Sequence, residues 1–547
     1  MKLTREQQAV VDYVPALGST VVIEALAGTG KTFILTKVVQ EIVKREPFAR
    51  ILYLAYNKAI QTEAIIRFGF ARDNVECRTT HSMAYAAFGG PLRKKLRHNI
   101  RLTDLNYTVA PERRGISYSQ KWQFLKAVKA TCDNYMYSDS FKFSEKHLCS
   151  DTLLAGLEDN VLALVLPCAR EMYQLGVEPE SKAPATHDMY LKQWQLSKPK
   201  LQYSYILLDE AQDTNRTVLD IVRRQKGTVY YTGDPYQQLY SFRGSVDTFK
   251  RIKPTKKFAL TTSFRFGQNV ADNANKVLKL LKCPYDMVGA GKDVLPDDGK
   301  VTYIARSNAE LFIKACELIN KQIPFRYAAG IDKEALDLIR DVHYLFEEEQ
   351  GKIKSNFLKQ FKNAGIFIAY VQDVADVEGM RLLKLQCRYK DGLLLQVNKV
   401  ELRMASANDA RVLLTTAHKA KGLEYHSIII AKDFTRVLGK GQNAVTFMDA
   451  ETARALYVAI TRSTSSYMYS PEVQEVIDGN VKVMSFKDAL RKSKANQAIS
   501  TREMRRMQKE WEEGGVQMEE LELAIMPASE GVQGKLMQID LSIMKEL

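Results

Sequence analysis

The chain has 547 residues, of which 46% are hydrophobic and 26% charged. That balance excludes a largely disordered chain and a small disulfide scaffold, and the length points to roughly three or four domains rather than one core. Lys and Arg number 79 against 64 Asp and Glu, a net charge of +15, which favours an anionic partner, most simply nucleic acid, and says nothing about fold. Cys77, Cys132, Cys149, Cys168, Cys283, Cys316 and Cys387 include no CxxC pair, which argues against a zinc ribbon, an iron–sulfur cluster or a disulfide framework. The N-terminal MKLTREQQAV reads as a helix start rather than a signal peptide, and nowhere do about 18 uncharged apolar residues run together. The expectation is a soluble, intracellular protein that does not engage a membrane.

In chain order, Thr20–Ala25 (TVVIEA) predicts a strand, Lys31–Val43 a helix, Ile51–Tyr56 (ILYLAY) a second buried strand and Ala59–Phe68 another helix. This rhythm predicts a parallel sheet covered by helices. Residues 91–199 read as a helical insertion carrying a basic cluster at Arg93, Lys94, Lys95, Arg97 and Arg101. The sheet resumes with Tyr205–Leu208 and Val229–Thr232. A second parallel-sheet domain is expected over 258–331 and 410–484, with strands at Phe258–Leu260, Val301–Ile304, Val412–Thr415 and Ser427–Ile430. It is interrupted over 332–409 by a segment that is helical first and strand-like at LLLQVNKVEL. The tail, 485–547, is charge-split: eight Lys or Arg against two acids up to Lys509, then nine acids against two Lys. Met504, Met507 and Trp511 share one helical face there, suited either to packing on the body or to holding a protein partner.

Two motifs carry chemistry. Ala25-Leu26-Ala27-Gly28-Thr29-Gly30-Lys31-Thr32 lies between a strand and a helix, where backbone N–H groups and a helix N-terminus can wrap phosphates. Ala27, Gly28, Thr29 and Gly30 would form the cradle, Lys31 would reach the β- and γ-phosphates, and the Thr32 hydroxyl would hold Mg²⁺. Leu207-Leu208-Asp209-Glu210-Ala211-Gln212-Asp213 delivers adjacent carboxylates from an apolar strand. Asp209 suits Mg²⁺, and Glu210 suits a general base acting on water. Together they predict an ATP-hydrolysing P-loop NTPase.

With these motifs in order, the sequence resembles the UvrD/Rep/PcrA-type helicases of superfamily one over roughly residues 3–470, and looks nearest to their F-box-helicase-like branch. The resemblance implies two RecA-like parallel-sheet motor domains with mostly helical insertions. By it, Gln7 in LTREQQAV reads adenine. Tyr56 and Asn57 in YNKA, and Thr80 and His81 in TTHS, touch single-stranded DNA. In GDPYQQLYSFRG, Gln237 senses the γ-phosphate while Tyr240, Phe242 and Arg243 face DNA; Phe242 stands where the family usually has Trp. In Ser263-Phe264-Arg265, Phe264 stacks on adenine and Arg265 meets the γ-phosphate, with Phe replacing Tyr and Ser replacing Asn. In TAHKAKGLEY, Glu424 lies near the ribose and His418 near the coupling path. In ALYVAITR, Arg462 is the second arginine finger.

The resulting expectation is an ATP- and Mg²⁺-dependent motor whose γ-phosphate is held by Lys31 on one domain and by Arg265 and Arg462 from the other side, in an interdomain cleft. Its partners would be single-stranded and tailed duplex DNA, engaged by a monomer moving 3′ to 5′. A translocase that strips proteins with little unwinding, and an ATP-gated recruitment module working through the tail, remain open alternatives. The basic cluster at Arg93–Arg101 is either a duplex contact or a solvated helix. The expected compartment is the cytoplasm, or the nucleus of a eukaryote.

Overall fold

The structure, a computed structural model, describes residues 3–150, 154, 157–239, 248–292, 299–328, 330, 333–355, 357–373, 377–404, 406, 409–438 and 445–484. The chain divides into two units: Met1–Leu278 with Cys283–Val294, and Lys279–Lys282 with Leu295–Leu547. The α/β class with helix-covered parallel sheets is borne out.

The first unit is built on β1 (Thr20–Ala25), β2 (Ile51–Ala55), β3 (Val75–Thr79), β4 (Tyr205–Leu208), β5 (Thr228–Gly233) and β6 (Lys256–Leu260). They pair in parallel in the order β3-β2-β4-β5-β1-β6. Every residue of β2, β4 and β5 is buried, which is why these strands read as continuous apolar runs rather than alternating ones. Helices α1 (Arg5–Asp12), α2 (Lys31–Arg45) and α3 (Lys58–Arg67) flank the sheet. Thr4 Oγ1 caps α1 by accepting from Gln7 N at 3.1 Å, and Asn57 Oδ1 caps α3 by accepting from Ile60 N at 2.9 Å. One face of α2, formed by Ile34, Leu35, Val38, Val39 and Ile42, packs into the same core as Ile23, Tyr53 and Leu207. Because all six strands run the same way, the loops that follow them emerge at one carboxyl edge, where open α/β sheets bind ligands.

The stretch between β3 and β4 is mainly helical, with α4 (Thr80–Ala84), α5 (Tyr118–Met136), α6 (Asp159–Val177) and α7 (His187–Leu196). It is tied to the sheet domain through the loop after α5. Lys192 Nζ, on α7, donates to the carbonyls of Ser138 (2.8 Å) and Ser140 (2.7 Å), and Gln195 Nε2 donates to that of Asp139 (3.2 Å). From α8 (Arg216–Arg223), Thr217 Oγ1 donates to the carbonyls of Met136 and Ser138. The loop's acceptors are thereby satisfied from two helices at once.

The second unit carries β7 (Val301–Ala305), β8 (Phe325–Tyr327), β9 (Val412–Thr416), β10 (Tyr425–Ile430) and β11 (Ser463–Tyr469), parallel in the order β8-β9-β7-β10-β11. Helices at Lys333–Phe346, Ala364–Asp373, Val377–Tyr389 and Leu393–Leu402 separate β8 from β9.

Two expectations are corrected. Phe258–Leu260 does not open the second sheet: it belongs to β6, which closes the first sheet by pairing with β1 (Val21 with Lys256 through Ala25 with Leu260). The Lys-Pro-Thr-Lys-Lys run ahead of it resembles a linker, but it leads only to an edge strand. LLLQVNKVEL is a helix, because Leu393, Val397 and Val400 are buried at spacings of four and three while Leu395 is 55% exposed; the run of leucines obscures that period. No described helix is long and apolar enough to cross a membrane. None of the seven cysteines is joined in a disulfide.

The helical register makes a test. Val397→Ala should lower unfolding free energy by roughly 1–3 kcal/mol and Leu395→Ala by less than about 0.5, whereas a strand would place both on one face; urea denaturation of the two variants distinguishes these. A second test concerns Lys192, whose pKa is pulled down to about 7 by burial, against the opposing pull of Asp139 and Asp220. Between that value and the ordinary one the unfolded chain binds the extra proton, so this group's contribution to stability rises with pH through that window. The stability of wild type relative to Lys192→Met should therefore climb from pH about 7 towards about 10 and be flat below 7, as read by denaturation across pH.

Candidate nucleotide site

The loop after β1 turns into α2 through two left-handed glycines, Gly28 (φ 74°) and Gly30 (φ 82°). At Gly28 sterics add to conformation: a Cβ there would lie 2.3 Å from Ser263 Oγ and 2.7 Å from Arg265 Cβ, so only hydrogen fits. Phe264 N donates to Gly28 O at 2.9 Å, and Leu26 N to Leu260 O at 3.0 Å. These bonds place the Ser263-Phe264-Arg265 segment in the first unit, against the loop. The expectation that Arg265 reaches the nucleotide from the other domain is therefore corrected; the residue follows β6 and belongs to the first unit. Ala27 and Thr29 are buried, and Thr29 Oγ1 donates to Leu26 O at 2.8 Å. Gln7 is also buried against the loop: its Nε2 donates to Thr29 O at 3.1 Å and its Oε1 accepts from Thr4 N at 3.2 Å. Here its amide buttresses the loop.

Lys31 opens α2, followed by Thr32, and its Nζ lies 3.2 Å from Glu210 Oε1. Burial would pull this ammonium's pKa down, but the carboxylates of Glu210, Asp234 and Asp209 outweigh burial and raise it. Asp209, at the end of β4, accepts from Tyr53 Oη at 2.5 Å and from Glu210 N at 2.9 Å. Burial, then the adjacent Glu210 carboxylate, pushes its pKa up to about 6. Glu210 holds a left-handed backbone (φ 51°), which costs a non-glycine residue about 1–3 kcal/mol and turns its side chain beside Lys31. Gln212 Nε2 donates to Glu210 Oε2, while Gln212 Oε1 accepts from Asp234 N at 3.1 Å. Asp234 in turn accepts from Gln237 Nε2 at 2.7 Å. A Cβ on Gly233 would lie 2.0 Å from Gln212 Oε1, so that glycine makes room for the bridge.

One cation thus faces three carboxylates. That surplus of negative charge, with the Thr32 hydroxyl one residue from Lys31, fits a divalent cation bound with a polyphosphate. Asp234, Gln212 and Tyr53 were not singled out by the sequence reading. Asp234 could have been, because it follows the apolar strand VYYTG as Asp209 follows YILL.

Beside this site is a cavity of about 60 Å³ lined by Tyr56, Thr80, His81, Asp209, Asp213 and Asn215. It brings together three of the residues expected to touch DNA with the Asp expected to hold Mg²⁺. His81 Nε2 lies 3.3 Å from Asp188 Oδ1 on α7, a partner nothing in the sequence announces. Asn57 is exposed, its side-chain oxygen serving as the cap of α3. Tyr240, Phe242 and Arg243 lie outside the described residues.

In the second unit, His418 is half-buried on the short helix Ala417–Ala420 and Glu424 is exposed just before β10. Arg462 is 1% exposed. Its guanidinium donates to Val458 O (3.0 Å), Leu423 O (3.3 Å) and Thr461 Oγ1 (3.2 Å), an arrangement that ties the glycine-containing loop before β10 to the end of helix Ala450–Ile460.

The lysine at the start of α2, the paired carboxylates and the glycine loop define a P-loop NTPase site. Residues 3–256 match the UvrD/REP helicase N-terminal domain, and the chain is similar to the UvrD-like helicases of superfamily one. Among its relatives it is 31% identical over 517 residues to the F-box DNA helicase 1 of Gallus gallus, covering 87% of this chain and 50% of that protein. It is 29% identical over 511 residues to the F-box DNA helicase protein 1 of Schizosaccharomyces pombe, covering 84% and 56%. A probable DNA helicase of Mycoplasma pneumoniae is 24% identical over 272 residues, covering 47% and 42%. The chain spans about half the length of the curated relatives it matches.

The bridge through Gln212 is tested by Gly233→Ala. Displacing Gln212 should release Glu210 and Asp234 together and lower ATP turnover by roughly 10²-fold, measured by steady-state phosphate release with a melting curve as the folding control.

Proposed function

We propose that the chain is an ATP-dependent DNA helicase that moves 3′ to 5′ along single-stranded DNA and unwinds duplex ahead of it. The observation that carries this reading is the sharing of Asp209 between two environments: the charge cluster around Lys31 and the cavity lined by Tyr56, Thr80 and His81. A change at the nucleotide is thereby felt at residues suited to a DNA strand.

The chemistry follows from the groups present. Lys31 is pre-charged by its carboxylate neighbours, so an incoming polyphosphate exchanges one anionic partner for another at the ammonium. Glu210, relieved of Lys31, becomes the base that orients and deprotonates the attacking water. Gln237, held by Asp234, is set to sense the γ-phosphate, and Arg265, packed beside Gly28, supplies positive charge where charge develops in the transition state. Asp209 and Thr32 would hold Mg²⁺, which would neutralise charge on the bound polyphosphate. Tyr56 offers a ring for stacking, worth about 1–3 kcal/mol per base in single-strand binders. The polarity and the unwinding rest on the family resemblance and on the DNA helicases the chain is similar to.

The test is ATP turnover by wild type and Glu210→Gln with and without oligo-dT. Wild type should be strongly stimulated, and the variant should retain ATP binding while turning over about 10²–10⁴-fold more slowly. Polarity is read from streptavidin displacement, which should be faster from a 5′-biotin than from a 3′-biotin end. No stimulation by any single strand would overturn the autonomous motor, and faster clearance of the 3′ end would reverse the direction.

A further inference from the structure

A second polar cavity in the first unit, about 280 Å³, lies where the loop after α5 meets α8. Arg216, Lys146, His147, Tyr137 and Asp139 are among its walls. Its charged side chains are two cations, Arg216 and Lys146, and one carboxylate, Asp139. The carbonyls of residues 138, 139 and 140 are bonded by Lys192, Gln195 and Thr217, so the loop's acceptors are already engaged. Both ring nitrogens of His147 are engaged, Nδ1 with Ser144 and Nε2 with Ser138 Oγ at 3.3 Å. Asp139, the carboxylate in the wall, acts electrostatically on Lys192 and Arg224. Lys146 stands exposed at the rim. Arg216 presents a buried Nε with no hydrogen-bond partner among the described residues. A buried guanidinium nitrogen left without an acceptor is costly and calls for one from outside the chain.

The cavity is also linked to the one beside the nucleotide site by neighbouring residues and a shared carboxylate. Asn215 lines the first and Arg216, the next residue, lines the second. Tyr137 and His81, one from each, share the Asp188 carboxylate, at 3.5 and 3.3 Å.

We propose that this cavity is a backbone-phosphate subsite for single-stranded DNA, in which Arg216 and Lys146 take phosphate oxygens and carry the strand from the Tyr56–His81 cavity onto the helical insertion. A planar guanidinium forms the paired, charge-assisted bonds a phosphate accepts, and a rim lysine adds a point charge. The proposal rests on the DNA-binding reading given above and extends it to a longer footprint on the first unit.

The test is fluorescence anisotropy of full-length wild type, Arg216→Gln and Lys146→Gln with a short and a long oligo-dT, about 6 and about 16 nucleotides, across salt. On the long strand each variant should lower the slope of log affinity against log salt by about 0.7, the value of one lost phosphate contact. On the short strand, which fits the first cavity alone, each should match wild type. Lys146→Gln alters an exposed side chain, so it reports even where Arg216→Gln disturbs folding. Unchanged slopes for both variants on the long strand, with wild type binding, would overturn the subsite and leave the DNA-binding reading intact. Equal loss on both lengths with a lowered melting temperature would show a structural role and overturn it as well. No binding of wild type to either strand would remove both readings.

Discussion

A buried ammonium surrounded by carboxylates organises the first unit. Lys31 sits at the start of α2 because the loop before it needs two left-handed glycines to reverse direction, and it faces Glu210, Asp209 and Asp234 because β1, β4 and β5 end at the same edge of one parallel sheet. Each group depends on the others. Removing one partner of a buried pair leaves an uncompensated charge, typically a loss of about 3–5 kcal/mol. Three acids around one base are, however, more than the base can neutralise, and burial together with the adjacent Glu210 carboxylate raises the pKa of Asp209. A cation bound with a polyphosphate would meet that surplus.

Local backbone strain follows from the same constraint. Glu210 adopts a left-handed conformation that an ordinary surface turn would give to glycine or asparagine. Gly233 is bare so that the Gln212 amide can reach from Glu210 to Asp234. Gly28 is bare so that the Ser263–Arg265 segment can close over the loop. These are three backbone concessions at three strand ends, each beside a residue of the nucleotide site. Strain at Glu210 of this kind is expected where geometry serves chemistry rather than stability.

The sequence displayed the parts of this site that repeat a local pattern. A glycine loop between strand and helix, and carboxylates after an apolar strand, are short-range signals, so Lys31, Asp209 and Glu210 could be read directly. What could not be read is contact across distance. Tyr53 looks like any aromatic in a buried strand until the sheet sets it against Asp209. Asp188 sits in an unremarked HDMY until α7 brings it to His81. The same limit explains the misplaced strand: Lys256–Leu260 follows a charged, proline-containing run that looks like a boundary, and only its parallel register with β1 assigns it to the first sheet. LLLQVNKVEL was ambiguous for a different reason, since consecutive leucines satisfy a period of two and a period of 3.6 over so few residues.

The helical insertion is more than a decoration on this edge. Lys192 is buried at the price of a depressed pKa, and what it obtains is the position of three residues, Ser138 through Ser140, whose carbonyls it and Gln195 hold. Thr217 takes the same loop from the side of α8, whose cap, Asn215, already borders the cavity beside Asp209. A flexible appendage would not need acceptors satisfied from two helices, nor a lysine with no exposed surface. The loop is therefore a joint set in place by buried polar bonds, and breaking it would expose several unsatisfied groups at once. Because that joint connects the start of α8 to α7, and α7 carries the Asp188 that meets both His81 and Tyr137, the insertion is tied by polar bonds to the carboxyl edge of the sheet. Whatever strand lies on that edge meets the insertion as part of the same site.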